Sequence, residues 1–256
     1  MAEQKFTVPT EQIDLPSQGK IYDKASPLSS GKIEMKYMTA KEEDILTNVN
    51  LLRQGVAIER MLKSLIKSDV PYEDLIIGDR NGLLIAARIL AYGKDYTFKY
   101  KNPSNNDEEE TITIDLQNLK YKTVDFSKFT GKNEFEFTLP YSKNVVTFKL
   151  LTVGDDKKID EEIKGMKKMV GQDAGLVTTR LKHQIISING EYSVKTVRDF
   201  IDQGYLLSRD AIELRKFIAT VNPDVDMTIN FTTKDGQEVE MDLPMTVDFF
   251  FPGSGV

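Results

Sequence analysis

Few residue types in this chain could do chemistry. Its 256 residues include no cysteine, no tryptophan and a single histidine, His183. A thiol nucleophile, a disulfide framework and a cysteine-ligated zinc or iron–sulfur site are therefore excluded. One imidazole also excludes a His-rich metal cluster and the HExxH pair. A Ser-His-Asp mechanism would have to run through His183 alone. Nothing near it in sequence supplies both a nucleophile and an orienting acid, so it reads as a structural or surface residue. Carboxylates are plentiful, 40 against 34 basic residues, for a net charge of −6. The runs Glu42-Glu-Asp44, Glu108-Glu-Glu110 and Glu161-Glu162 nevertheless read as solvated helix or loop charges, not as an acid–base pair. The expectation is a protein that is not an enzyme.

Two strings resemble pieces of a calcium loop: Asp79-Arg-Asn-Gly82 and Asp224-Val-Asp226-Met-Thr228-Ile-Asn230. Calcium needs alternating oxygen ligands, a glycine at the sharp turn and a late bidentate Glu. The first string lacks the later ligands and reads as a helix cap. The second has Ile229 in place of the glycine and reads as a strand entry. No GxxxxGK[ST] or GxGxxG phosphate loop is present. Asn230-Phe-Thr232 matches a glycosylation acceptor only by chance, given no secretory signal. No metal, cofactor or small-molecule substrate is expected.

The acidic balance argues against nucleic acid, which is held by clustered Lys and Arg. In the densest basic stretch, Lys157 to Lys168, three acids are interleaved, and it reads as a helix face of mixed charge pairs. The longest apolar stretch, Leu83 to Tyr92, is about half the length of a membrane span and is broken by Arg88. With no apolar leader at MAEQKFTVPTEQ, the expected location is a cytosol.

The elements that must position any site divide the chain into four parts. Residues 1–30 read as an extended arm, with Pro9, Pro16, Pro27 and Gly19 and no helical period. Its apolar residues, Leu15 and Tyr22 among them, are too frequent for a free tail, so the arm lies along the body or a partner. Residues 31–116 form a helical region with a hairpin. Ile33, Met35 and Tyr37 alternate as a strand, and Thr39-Ala-Lys-Glu42 is a capping box. The helix it opens carries Ile45, Leu46, Val49 and Leu52, a second carries Ile58 to Ile66, and Asp79 caps a third. Tyr96, Phe98 and Tyr100 then face Ile112, Ile114 and Leu116 across a polar tip.

Residues 117–132 lack periodicity and read as a connection. Residues 133–256 hold a second hairpin (Phe135 to Leu139 with Val146 to Leu150), then a helix capped by Asp155 or Asp156. A short helix around Leu176 to Leu181 and an Ile-rich strand follow. Further helices are capped by Ser193 and Ser208, and the terminal hairpin turns at Asp235-Gly236. The succession from Arg88 to Leu116 is faintly echoed from Arg215 to Leu243. The fold class is α+β, helices packed with antiparallel hairpins.

Two stretches are candidate docking surfaces: Leu15, Pro16 and Tyr22 in the arm, and Phe249, Phe250, Phe251 and Pro252 in the tail. Three successive aromatics cannot all face one core in extended chain. Two readings stand for them: two rings cap the core, or the tail is exposed and docks a partner.

Read in order, several segments resemble one family. They are Leu15-Pro-Ser-Gln-Gly19 with Tyr22, Gly31-Lys-Ile-Glu34, Thr39-Ala-Lys-Glu-Glu43, and Leu75-Ile-Ile-Gly-Asp-Arg80 with Tyr92-Gly93. Leu139-Pro140, Leu150-Leu-Thr152, Arg180-Leu-Lys182 and Phe249-Phe-Phe-Pro252 follow. The succession is similar to the T-even-type baseplate proteins of contractile-tail bacteriophages that build the central hub of the tail. The resemblance implies a protein that promotes hub assembly in the host cytoplasm through contacts with other hub proteins. The alternative is a stoichiometric part of the virion tail. It also implies two zinc-ribbon-like hairpins, whose tips here, Asn102-Pro-Ser-Asn105 and Thr232-Thr-Lys-Asp-Gly236, lack metal ligands. Strand pairing and apolar packing would then hold them.

Overall fold

The structure, a computed structural model, describes residues 7–103, 108–170, 175–243, 245 and 247–250. The architecture is α+β, with helices packed against small antiparallel sheets. Strand β1 (Thr10–Asp14) pairs with β2 (Lys32–Lys36), setting Ile13 opposite Ile33. The chain between them doubles back tightly. Gly19 and Gly31 both have positive φ, and a Cβ on Gly19 would lie 2.4 Å from the Ser29 carbonyl oxygen. Only glycine allows that crossing. Leu15, Ile21 and Leu28 are buried. The arm is therefore extended only in β1, and it belongs to the body.

Helix α1 (Ala40–Leu46) opens as its capping sequence requires, the Glu42 carboxylate accepting from the Thr39 N–H at 3.0 Å. The single helix expected after it is instead two. Asn48 accepts from the Asn50 and Leu51 amides, and this side-chain cap starts α2 (Val49–Gln54) afresh. Helix α3 (Ala57–Leu65) buries Met61, Leu62 and Leu65. Helix α4 (Ile77–Tyr92) begins two residues before Asp79, with Ile76 at its N-cap. Asp79 is thus inside the first turn and does not cap the helix as its type suggested.

Strands β3 (Asp95–Asn102) and β4 (Glu108–Asp115) form the first hairpin, with Tyr96 opposite Ile114 and Phe98 opposite Ile112. Strands β5 (Phe135–Thr138) and β6 (Val145–Phe148) form the second, and β7 (Ile185–Ile188) joins it as a third strand. Between β6 and β7 run α5 (Val153–Val170) and α6 (Leu176–Gln184). Thr152 and Asp155 cap α5 reciprocally: the Thr152 hydroxyl accepts from the Asp155 N–H, and the Asp155 carboxylate accepts from the Thr152 N–H. Helix α7 (Val194–Asp202) is capped by Ser193 through the Thr196 amide, and α8 (Ser208–Thr220) follows Leu207.

The last hairpin, β8 (Thr228–Thr232) and β9 (Glu238–Asp242), turns through Gly236 at φ +82°. A short turn of helix, α9 (Val247–Phe250), ends the described chain. One hydrophobic core runs from Leu15 through Leu83 and Phe148 to Phe250, with Leu119 and Phe129 packed against it. Among the described residues, no helix is long and apolar enough to cross a membrane.

Candidate functional site

In the arm, Tyr22 and the neighbouring Ser17 meet Asp79, whose carboxylate is fully buried. One oxygen accepts from the Ser17 N–H at 2.8 Å. The other accepts from the Ser17 hydroxyl at 2.7 Å and the Tyr22 hydroxyl at 2.5 Å. Tyr22 in turn accepts from the Ile76 N–H at 3.1 Å, so one phenol ties the arm to the entry of α4. No cation sits among these partners. Burial therefore outweighs the hydroxyl and amide donors and pushes the Asp79 carboxyl up to about 6, with the Asp224 charge adding in the same direction. Burial, with Asp79 beside it, likewise raises the Tyr22 phenol. Pro16 lies against the space above Gly82, where a Cβ would come within 2.8 Å of its ring. Leu15, Pro16 and Tyr22 are spent on internal contacts and are not presented at the surface of the folded chain.

At the other end, Phe249 and Phe250 are both buried. Of the two readings left open, the structure gives these two rings to the core. The reason is the helical turn of α9, in which successive side chains diverge by roughly 100° rather than alternating across a strand. Phe249 meets Tyr96 edge-on at 4.8 Å and Phe250 at 5.0 Å. The Arg88 guanidinium lies 5.1, 5.8 and 5.9 Å from the rings of Tyr92, Tyr96 and Phe249 and donates to the Gly93 and Asp95 carbonyls. A buried cation is tolerated there because ring faces and carbonyls replace water. Phe251 and Pro252 lie outside the described residues.

Sequence reasoning missed how the tips of the first and last hairpins are joined. The Asn102 amide donates to Glu110 at 3.0 Å and to Asp235 at 3.2 Å, and Glu110 accepts from the Lys234 N–H at 2.8 Å. The Thr233 hydroxyl donates to Asp235. Below this polar clasp, Phe231 meets Phe98 and Tyr100 edge-on. Among the described residues, no group of three or more His, Asp or Glu could hold a metal ion. The tips are joined by amide and carboxylate groups that read as solvated when taken one strand at a time.

A cleft of about 290 Å³ between α3, α4 and α5 is the place where facing acids could have formed a catalytic pair. Its Glu59 is partly buried, which pushes its carboxyl up, but hydrogen bonds from Lys157 and Lys63 outweigh this and hold it low. Glu73, beside it, is held low by the same two lysines. Carboxylates tied up in this way are poor general acids, which need a raised pKa. His183 lies elsewhere, 3.0 Å from Glu162, and Arg198 grips that same carboxylate bidentately at 2.9 and 2.8 Å. Arg198 and the other donors hold Glu162 down to about 2.

A family model described as T4 bacteriophage base plate protein matches residues 8–251. The chain belongs to that family. Neither a curated protein nor a solved structure matches it. As a T4-type baseplate protein it is a structural phage component, and its partners are other baseplate proteins. The match takes in both the Asp79 joint and the Phe249–Phe250 turn. In this baseplate protein those two features are internal.

Proposed function

We propose that this baseplate protein promotes assembly of the central hub by binding other hub proteins, with no catalytic step of its own. The observation that carries the reading is a preorganised apolar surface at the start of α8. Tyr141, Tyr205, Leu207 and Ile212 are all exposed there. The Tyr141 and Ser142 amides donate to the buried Asp210 carboxylate at 2.8 and 2.9 Å, and the Arg209 guanidinium lies 5.5 Å from the Tyr141 ring. A tyrosine fixed this way loses little freedom on binding, which is what makes such residues strong interface anchors.

The test is to purify a tagged chain from infected cells and identify the phage proteins that come with it, for wild type and for Tyr141→Ser with Leu207→Ser. Loss of hub proteins from the double variant, with an unchanged melting temperature, supports the reading. The second reading is a stoichiometric part of the tail, favoured by family membership itself. Mass spectrometry of finished particles separates the two, since a symmetric copy number in mature tails would refute the transient role.

A further inference from the structure

We infer that the cleft between α3, α4 and α5 binds the C-terminal carboxylate of a partner polypeptide whose last side chain is apolar. The inference rests on the assembly reading only in taking that polypeptide to be a baseplate protein. Two polar groups converge on the cleft, Arg80 from near the start of α4 and Tyr72 from the single helical turn that precedes it. A guanidinium carries five N–H donors. Among the described residues, that of Arg80 makes no hydrogen bond: its Nε is buried without a partner, and the Asp156 carboxylate stands off at 3.6 Å. Tyr72 is 8% exposed, and its hydroxyl likewise makes no hydrogen bond among the described residues. Burial pushes that phenol up to about 12, so the hydroxyl keeps its proton and can donate. Buried donors left unpaired within a chain point to an acceptor from outside it.

The neighbouring lysines are already used. Lys157 reaches Glu59 at 2.6 Å and Glu73 at 2.8 Å, and Lys63 reaches both at 2.7 Å. Asp156 is shared with Arg180, which lies 3.5 Å from its other oxygen, so one carboxylate faces two guanidinium groups. Arg80 therefore keeps positive charge as well as its donors. Such an Arg–Tyr pair suits a carboxylate, which takes two parallel N–H bonds from a guanidinium and a third bond from a hydroxyl. Asp160, exposed on the rim, disfavours a second negative charge and hence a phosphate. Leu84, Val153 and Phe250 supply an apolar wall. The cleft of about 290 Å³ lies at the small end of ligand pockets, room for a residue and not for a folded element. A glutamate side chain would bring only its methylene stem to that wall. A terminal residue brings its carboxylate and a whole apolar side chain together.

The test is an NMR titration of the purified full chain with the blocked peptide N-acetyl-Gly-Gly-Leu carrying a free carboxylate. Resonances of α3, α4 and α5 should shift saturably. The same peptide as its C-terminal amide is expected to bind about tenfold or more weakly, because charge-assisted hydrogen bonds are lost. Arg80→Gln should weaken the free-acid peptide to a similar degree. Arg80→Lys should recover only part of the loss, since an ammonium cannot make the two parallel bonds. Tyr72→Phe removes one oxygen that bonds nothing within the chain, so it should weaken the peptide yet melt with the wild type.

Equal affinity for the acid and the amide would overturn the inference. So would unchanged affinity in Arg80→Gln and Tyr72→Phe. So would acetate or inorganic phosphate binding as tightly as the peptide, since the apolar wall would then read nothing. An amide-ended peptide with an internal Glu that binds as well as the free acid would hand the site to acidic side chains and overturn it too. An absence of saturable shifts at millimolar peptide would do the same. The assembly reading is judged separately, by whether phage lacking this chain still build hubs. Either proposal can therefore fail alone.

Discussion

The Asp79→Asn variant tests the central joint most directly. In the fold, Asp79 titrates near pH 6, whereas an unperturbed aspartate titrates near 3.8. The folded state therefore holds its proton more tightly than the unfolded state. Stability from this group is fully present below pH 3.8 and is lost as the pH rises through about 6. At 1.36 kcal/mol per pH unit between the two values, the loss is about 3 kcal/mol by pH 8. Asparagine stays neutral throughout. Its carbonyl can still accept from the Ser17 N–H, and its amide can donate to the Ser17 and Tyr22 hydroxyls. The variant's stability relative to wild type should thus improve by about 2.4 kcal/mol between pH 4 and pH 8. Glu42 and Glu162, each held near 2, are common to both proteins and cancel from the difference. The assay is urea unfolding followed by circular dichroism at a series of pH values. Parallel stability curves for the two proteins would refute the reasoning. They would mean that three donors compensate the buried charge in full.

Other substitutions probe the remaining joints. Phe249→Ala removes a buried ring from the Tyr96 and Phe250 contacts and should cost about 3–5 kcal/mol, read as a drop in melting temperature. An unchanged melting temperature would return the tail to the surface. Gly78→Ala would set a Cβ 1.8 Å from the Pro223 carbonyl oxygen, so the start of α4 must shift, and severe destabilisation or insoluble expression is expected. Glu110→Ala removes one acceptor of the Asn102 amide and the carboxylate that accepts from the Lys234 N–H, at a cost of about 1–3 kcal/mol, and should raise hydrogen exchange at residues 233–237. Exchange unchanged there would show that the aromatic contacts of Phe231 alone hold the tips together.

The elements were largely legible, because periodicity is a local signal. The alternation of Tyr96 and Phe98 against Ile112 and Ile114 marks the first hairpin, and Asp235-Gly236 marks the turn of the last. Failures came where one side chain served a distant partner. Asp79 reads as a cap because Asp at a helix start usually caps. Its actual partners, Ser17 and Tyr22, lie about sixty residues away, where local pattern says nothing. Asn48 was overlooked because it cuts an otherwise continuous apolar stripe. For Phe249 and Phe250 strand geometry leaves two readings open, and a single turn of helix puts both rings in the core. Leu15, Pro16, Tyr22, Phe249 and Phe250 are all drawn inward, since the same apolarity that suggests docking also recruits a residue into a core. The resemblance to T-even-type baseplate proteins holds at the level of the family, whose model matches residues 8–251.

The long-range clasps also set how the chain must fold. Ser17 to Asp79 closes a loop of 62 residues and Asn102 to Asp235 one of 133. Each doubling of loop length adds only about 0.6 kcal/mol of closure entropy, so length alone hardly favours one closure over the other. What separates them is the local structure each joins. The first docks a strand pair onto a helix start, while the second must align two finished hairpins. Contacts this distant in sequence raise the contact order and slow folding. Until the clasps close, the Tyr96–Phe98 face of the first hairpin stays uncovered and sticky. Within a crowded, rapidly filling infected cell, that delay is the period in which this protein is most exposed to aggregation.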